Sequence, residues 1–513
     1  MSAYFAMLVP GPSAVPAGGD GGGLPEPGGG AGLAGRVAAG PGLWEDWLAG
    51  LRREGLIGEL LADGVIAAAV AEGGHGHRLD RALTAEVTAL CVIVGALFPD
   101  QGYDLILARV FGMPGVPVKP GTVTPSGPAL SKARERLGEQ VMRRVFELDA
   151  ARQDIVPGAG GTAFGLELTA FDGTTAEVFN DPGLAAEFGV PEGGTKPKIR
   201  IVAHLQAGTR RWKAAAVGGY HDGENALADE LEGSLGEGML NLADRGFFSM
   251  SRWIRFSRAG AQLLWRVKNS ARSVPFKTIR TLADGSELVL LRESSAMLGT
   301  RRRDAGDKTL PRLPDTVARL VSFTVLTRAR SGRMKTTAIR VLTTLLDPGL
   351  YPAGELAALY AKRWQVETAF LHLKKTVRGP RRVLRGRSVP LVRQEAWALL
   401  LVHNMIAAIA AQAASSAGLD PDALSFTAVL SLVRSHATAD SCCKHCGKRP
   451  ASANDPLAPL ATAILAHPRD RTGRKRTSGR TPAERRNWRT EEATYTITIV
   501  PSKLPKTDTC PGS

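Results

Sequence analysis

The spacing of apolar residues divides the chain into a helical first part, a strand-rich middle part and a helical third part. From residue 43 onward, apolar residues such as Trp44, Trp47 and Leu51 recur at intervals of three and four, the period of an amphipathic helix. The same spacing predicts helices at 79–98, 103–111 and 129–151. Helical spacing returns from Pro352 to Ala414. We therefore expect helical regions on both sides of a sheet.

The middle part begins after the glycine-rich residues 157–161, where apolar residues take the shorter period of strands. A first group of strands is predicted at 166–171, 176–179, 198–204, 212–217 and 239–243. A helix predicted at 225–235 falls within this group, which favours an α/β layer over a β-sandwich. A second group of strands, which predicts a β-rich insertion, lies at 263–267, 287–291, 318–327 and 337–342. A last strand is predicted at 494–500.

Composition places the chain among globular proteins. Of the 513 residues, 44% are hydrophobic and 22% are charged, values that exclude wholesale disorder and fibrous classes. Residues 10–42 are the exception, since 13 glycines and 6 prolines predict a disordered leader. The five cysteines are odd in number and clustered, which favours a reducing, intracellular compartment. No secretory signal is predicted, because residues 1–9 lack a basic start and a long apolar middle. No membrane span is predicted, because polar residues interrupt the apolar stretch 398–414.

The net charge of +16 favours a polyanionic partner, and its distribution narrows the choice. Residues 374–393, here called the basic run, contain eight basic residues and no acidic one, and residues 468–490 carry a net charge of +7. Neither stretch has the apolar face of an interfacial helix, so a membrane surface is disfavoured as the partner. Nucleic acid is the partner that we expect.

Two aspartates follow runs of apolar residues. Asp172 and Asp244 each precede a glycine-containing turn, so both carboxylates are predicted at the carboxyl ends of strands, the edge at which open α/β sheets bind ligands. Carboxylates at that edge are suitable ligands for hard divalent cations. For either aspartate taken alone, a plain turn is the alternative.

A third candidate comes from the helix predicted at 355–377. Tyr360, Arg363, Glu367 and Lys374 have the spacing Y-x2-R-x3-E-x6-K, and at about 100° per residue they fall on one helix face. A carboxylate and two cations on one face make a poor core, but they suit a metal ligand beside phosphate donors. The alternative is a surface helix with an ion pair between Arg363 and Glu367.

Three carboxylates from two strands and one helix are able to hold two Mg²⁺ ions about 4 Å apart, the arrangement used for phosphodiester cleavage and transesterification. The basic run then lies beside this site, where a DNA backbone would pass. The DNA contacts expected in it, besides Lys374, are Lys375, Arg378, Arg381 and Arg382.

These residues and their order resemble the DDE-type insertion-sequence transposases, in particular the bacterial subgroup defined by the Y-R-E-K helix, insertion-sequence family four. The resemblance rests on F-D-G-T at 171–174, A-D-R-G-F at 243–247 and the full Y-R-E-K spacing. It extends to L-F-P-D at 97–100 and A-L-S-K-A-R-E-R-L-G at 129–138, so that it covers about 56–435.

The resemblance implies a ribonuclease-H-like α/β catalytic core, interrupted by the β-rich insertion and preceded by a helical N-terminal DNA-binding domain. It implies that two Mg²⁺ ions, with Mn²⁺ as a substitute, are bound by Asp172, Asp244 and Glu367. It also implies that phosphates at the transposon ends are contacted by Tyr360, Arg363 and Lys374. The implied activity is excision of a mobile element and joining of its ends to target DNA, carried out by a homodimer on double-stranded DNA in the bacterial cytoplasm or nucleoid.

The expected domain boundaries follow from these segments. They are a leader at 1–42, a helical domain at 43–156, a first core part at 162–261, the insertion at 262–345, a second core part at 346–436 and a basic tail at 437–513.

For several residues the sequence allows two interpretations. Lys132, Arg134 and Arg136 either contact DNA or form the solvated face of a scaffold helix. Trp253 and Trp265 either stack on a flipped base or belong to the core. The lone C-x-x-C at 443–446 is a weak zinc signal. Two other functions stay open: another two-metal nuclease or integrase on the same core, which would not need the Tyr-Arg-Lys face, and a non-catalytic, domesticated DNA-binding protein.

Overall fold

The computed structural model describes residues 64–75, 82–112, 123–151, 161–269, 274–328, 334–360, 369–379, 382–437, 458–468 and 495–499. The predicted leader, the cysteine cluster at 442–446 and the basic tail beyond 468 lie outside these residues. Three of the predicted site residues also lie outside them, namely Arg363, Glu367 and Arg381.

Helices make up the first part of the chain, as predicted. The described helices there are α1 (Val65–Glu72), α2 (Ala85–Leu97), α3 (Tyr103–Phe111) and α4 (Gly127–Ala151). Helix α2 is almost wholly buried from Val87 onward. Its first residue is Ala85 rather than residue 79, because the hydroxyl of Thr84 caps the helix by accepting a hydrogen bond from Val87 N at 3.2 Å.

A single sheet runs through the middle part. Its strands are β1 (Thr162–Ala163), β2 (Leu166–Glu177), β3 (Lys198–Gln206), β4 (Trp212–Gly219), β5 (Met239–Ala243), β6 (Gln262–Val267), β7 (Phe276–Thr281), β8 (Glu287–Leu291), β9 (Thr316–Arg328), β10 (Met334–Thr343) and β11 (Tyr495–Ile499). The strand order is β4-β3-β2-β5-β6-β10-β9-β8-β7, with β1 on β2 and β11 on β9. β5 runs parallel to β2 and to β6, and the other described pairs are antiparallel. The mixed α/β fold class is therefore confirmed.

The sheet differs from the prediction in two places. The strands predicted at 166–171 and 176–179 are one strand, β2, because Asp172 and Gly173 pair with Ala203 and Val202 of β3 instead of turning. Strand β6, predicted as the start of the insertion, pairs in parallel with β5, with Leu264 opposite Leu242. The core sheet therefore continues past the boundary expected at residue 261.

Helices cover both faces of the sheet. They are α5 (Pro182–Phe188), α6 (Glu224–Asp229), α7 (Met250–Arg258), α8 (Ser295–Asp304), α9 (Ala353–Tyr360), α10 (Val389–Ser416), α11 (Phe426–His436) and α12 (Ala458–Leu465). Side chains alternate along β2, so Ala170 joins the apolar cluster that contains α9 and α10, whereas Phe171 joins the cluster that contains α6 and α7. The predicted helix at 225–235 is shorter than expected and is followed by a 3₁₀ turn, Glu232–Ser234.

Helix α10 is long and apolar enough to cross a membrane by composition alone. Of its most apolar window, 83% is buried inside the protein, against α4 and α2 among other elements. Burial of this extent is that of a central core helix. The two tryptophans follow the core interpretation as well, since Trp253 and Trp265 are fully buried and in edge-to-face contact at 5.7 Å between ring centroids.

Candidate active site

The register of two parallel strands brings the two predicted aspartates to one level of the sheet. The pairing of β2 with β5 ends where Ala170 lies opposite Leu242. Asp172 and Asp244 each come two residues after this last pair, on the strand or just beyond it. Only β5 ends here, while β2 continues along β3. Asp172 therefore lies within a strand, in contrast to the prediction, yet at the edge where β5 stops.

The Asp244 carboxylate has two donors near the same oxygen. The Tyr360 hydroxyl, at the end of α9, lies 3.4 Å from Asp244 Oδ1, and Arg266 Nη1 of β6 lies 3.5 Å from it. Tyr360 is buried, whereas the Asp244 side chain keeps 35% of its surface exposed. Tyr360 thus lies beside an aspartate of the site, and the phosphate contact that the resemblance implies for it stays a prediction. Arg266 was not predicted, because a single basic residue between apolar strand positions is an ordinary surface pattern.

A further carboxylate, also missed in the sequence, lies next to both aspartate motifs. A Cβ placed on Gly173 would lie 1.9 Å from Glu224 Oε1, and one placed on Gly246 would lie 3.7 Å from Glu224 Oε2. The glycines that follow the two aspartates therefore leave room for the first residue of α6. Burial raises the pKa of the Glu224 carboxyl, Arg200 opposes this shift, and the charge of Asp244 adds to it.

The Y-R-E-K segment is described at its two ends. Arg363 and Glu367 lie outside the described residues, so their predicted positions stay predictions. Lys374 lies in a π-helical turn, His372–Val377, rather than in the continuous α-helix from which one face was predicted. A π-turn changes the angular phase of the residues that follow it and is frequent at functional sites. Lys374 lines a small apolar hollow over Thr174 and Ala176 of β2.

Several arginines of the basic run form hydrogen bonds and ion pairs with the helical N-terminal domain. Arg385 donates hydrogen bonds from Nη1 to Gln101 O at 2.8 Å and from Nη2 to Gly95 O at 3.0 Å. Arg393 pairs with Glu139 of α4 at 3.2 Å. Arg382 donates to Pro99 O at 2.8 Å and remains exposed. For Lys375 the structure describes the backbone only.

The three basic residues predicted on α4 separate into two groups. Lys132 and Arg136 are exposed, as a DNA contact requires. Arg134 is 2% exposed, and its guanidinium donates to Gln394 Oε1 at 3.1 Å, to Leu391 O at 3.1 Å and to Glu395 Oε1 at 3.3 Å. A guanidinium that is buried and paired in this way is not available to DNA. We therefore remove Arg134 from the expected DNA contacts and assign it to the packing of α4 on α10.

The donor set fits a hard divalent cation. Asp172 and Asp244 offer partly exposed carboxylate oxygens at one sheet edge, which is the ligand type that Mg²⁺ prefers. In the described part of the chain, no group of three or more acidic, histidine or cysteine side chains could hold an ion together. The third carboxylate implied by the resemblance, Glu367, lies outside that part.

Comparisons with known proteins identify the family of this chain. The family model for the insertion element 4 transposase N-terminal region matches residues 54–147, and the model for the transposase DDE domain matches residues 164–405. The transposase InsG for insertion sequence element IS4 of Escherichia coli (strain K12) is 29% identical over 355 residues, which cover 68% of this chain and 75% of that protein. A cryo-EM structure of the piggyBac transposase synaptic complex with hairpin DNA covers 75% of this chain and 79% of its own, at 12% identity and a TM-score of 0.39. With both family models in chain order and Asp172 and Asp244 inside the second, the chain belongs to the DDE transposases of the insertion element 4 family.

Proposed function

We propose that this DNA transposase cleaves DNA at the ends of its own element and joins those ends to target DNA by a cut-and-paste route. The observation that supports the proposal is the parallel pairing of β2 with β5, whose last pair, Ala170 and Leu242, comes two residues before Asp172 and Asp244. The transposase DDE domain implies use of a divalent metal ion. The finer proposal is two Mg²⁺ ions, replaceable by Mn²⁺, bound by Asp172, Asp244 and Glu367.

The protein's own groups then have separate tasks. When bound, the two ions lower the pKa of the attacking water or 3′ hydroxyl and stabilise the leaving oxygen. Tyr360 and Arg266 orient the Asp244 carboxylate from two sides. Glu224 occupies the space beside both aspartate motifs and closes the site from the α6 side.

DNA is the partner, and its path is part of the proposal. We place phosphates of the transposon end near Tyr360, Arg363 and Lys374, with the double strand continuing along Lys375, Arg378, Arg381 and Arg382. The exposed Lys132 and Arg136 contact DNA from the helical domain. A homodimer on the DNA, in the bacterial cytoplasm at the nucleoid, completes the proposed assembly.

The test is to separate binding from cleavage. Asp244→Asn and Glu367→Gln should retain binding to end DNA in a mobility-shift assay and lose Mg²⁺-dependent cleavage, because they remove a negative charge without removing volume. The matched control is Glu230→Gln at an exposed glutamate of the same region. Cleavage by Asp244→Asn at the wild-type rate would refute the assignment. Binding without cleavage by the wild-type protein, in Mg²⁺ and in Mn²⁺, would favour a non-catalytic DNA-binding protein.

A further inference from the structure

A positively charged cleft lies beyond the aspartates, where the end of β2, the start of β3 and the segment after the π-turn meet. Its volume is about 440 Å³. The residues that line it are Thr175, Glu177, Lys196, Lys198, Arg378 and Arg382. Four cations thus surround one carboxylate. Lys196 and Lys198 belong to neither stretch of concentrated charge, so the sequence gives no sign that they join Arg378.

The single carboxylate does not balance these cations. Glu177 is 3.7 Å from Lys196 Nζ through Oε2 and 4.0 Å from Lys198 Nζ through Oε1, at the outer limit of an ion pair. The two lysine side chains retain 46% and 30% of their surface exposed, so they can also reach a ligand in the cleft. The cleft therefore keeps a surplus of positive charge, which an anion would neutralise.

Arg378 supplies the clearest sign of a missing partner. Its Nε and Nη1 atoms are buried and have no hydrogen-bond partner among the described residues. A guanidinium stays protonated in a protein, so burying two of its donors without an acceptor costs free energy. In Arg385 of the same run, by contrast, two guanidinium nitrogens donate to backbone carbonyls. The difference indicates that the described residues supply no acceptor for these two Arg378 donors, which leaves them for a ligand of the cleft.

The position of the cleft selects the kind of anion. Thr175 follows Asp172 by three residues along β2, which is about 10 Å at 3.3 Å per residue. One DNA strand advances about 3.4 Å per nucleotide, so this distance corresponds to roughly three nucleotides. Guanidinium and ammonium groups together are typical ligands of phosphate.

We propose that this cleft binds one backbone phosphate of the DNA strand, about three nucleotides from the phosphate that is cleaved, through Lys196, Lys198 and Arg378. This inference rests on the proposed function and adds a specific contact to it. The bound phosphate fixes the direction in which the strand leaves the aspartates. Lys196 and Lys198, just before and at the start of β3, thereby complete a contact surface that the basic run provides only on one side.

The test combines protein variants with single neutral phosphates. End DNA is prepared with one methylphosphonate at a time, at each of the first six phosphates from the cleavage point, and its affinity for the full-length protein is measured. On unmodified DNA, Lys198→Ala should weaken binding about tenfold and lower the log–log salt dependence by about 0.9. On DNA neutralised at the contacted phosphate, the same variant should have no further effect. On DNA neutralised elsewhere, the full effect should return.

Further variants distinguish a phosphate contact in the cleft from an effect on folding or on the net charge of the protein. Lys196→Ala should behave like Lys198→Ala, and Glu177→Gln should tighten binding because it removes the competing carboxylate. Lys277→Ala removes an exposed lysine of β7, distant in sequence, and serves as the charge control. A lysine effect that is equal for every neutralised phosphate, or absent, would overturn the cleft while leaving DNA binding intact. Failure of the wild-type protein to bind end DNA at all would overturn both proposals.

Discussion

Arg134 offers a direct choice between a DNA contact and a structural role. Its guanidinium is 2% exposed and donates to the Glu395 carboxylate, whose side chain is 10% exposed, as well as to Gln394 and Leu391. Arg134→Ala leaves Glu395 buried with one other described hydrogen-bond donor, the backbone NH of Arg385 at 2.6 Å. Breaking a buried ion pair of this kind costs about 3–5 kcal/mol.

We therefore expect Arg134→Ala to lower the free energy of unfolding. The fraction of the variant that is folded should bind DNA with the affinity of the wild type. Unfolding in urea, followed by tryptophan fluorescence, measures the first quantity, and anisotropy of labelled end DNA measures the second. Lys132→Ala and Arg136→Ala on the same helix are the matched controls, because both side chains are exposed. They should leave the unfolding midpoint unchanged and weaken DNA binding. The reasoning fails if Arg134→Ala unfolds like the wild type and binds DNA less tightly.

Two further predictions concern the site and the core. Gly173→Ala should slow cleavage while end binding persists, because the new Cβ would lie 1.9 Å from Glu224 Oε1 and the Glu224 side chain would have to move, whereas Gly236→Ala, with nothing within 4 Å, should be neutral in the same assay. His403 is fully buried, and burial lowers its pKa to about 3, so the unfolded chain takes up a proton below pH 6.5 that the folded chain refuses. Stability should fall by ~1.4 kcal/mol per pH unit from pH 6.5 downward on account of this residue, and His403→Phe should remove that part of the slope in urea titrations at pH 5 and pH 7.5. An unchanged slope in His403→Phe would show that this histidine is protonated in the folded protein.

The secondary structure was predictable from the sequence in segments where the apolar residues follow a single period, either that of a helix or that of a strand. The apolar runs before Asp172 and Asp244 were enough to predict two strands, and the structure pairs these strands in parallel. The continuation of β2 past Asp172 was not predictable from the sequence, because a D-G pair favours a turn locally. The pairing of β2 with β3 outweighs this preference, and it depends on residues about 30 positions away.

The burial of Arg134 is indicated by its position in the sequence, but its charge favoured the interpretation as a surface residue. It stands four residues after Leu130 and three before Leu137, on the apolar face of α4, and both leucines are buried. Its position therefore predicted burial, while its charge predicted a surface. Its acceptor, Glu395, is 261 residues away, so no local pattern supplies the pairing. The same argument from sequence distance applies to Glu224 and to Lys196 and Lys198, whose proposed roles arise only when separate elements of the fold meet.

The basic run shows why the number of charges is a poor guide to DNA contacts. Arg385 and Arg393 contribute to the positive charge of the run, yet their nitrogens donate to backbone and carboxylate oxygens of the helical domain. Neutralising them would remove contacts between the basic run and the helical domain, so a fall in DNA affinity would not by itself identify a DNA contact. Arg378, seven residues before Arg385, has buried nitrogens without a described acceptor. Donors that the protein leaves unsatisfied are therefore a better guide to DNA contacts than the sign of the charge. By this criterion Arg378, in which both Nε and Nη1 lack a partner, differs from Arg393, in which only Nε does.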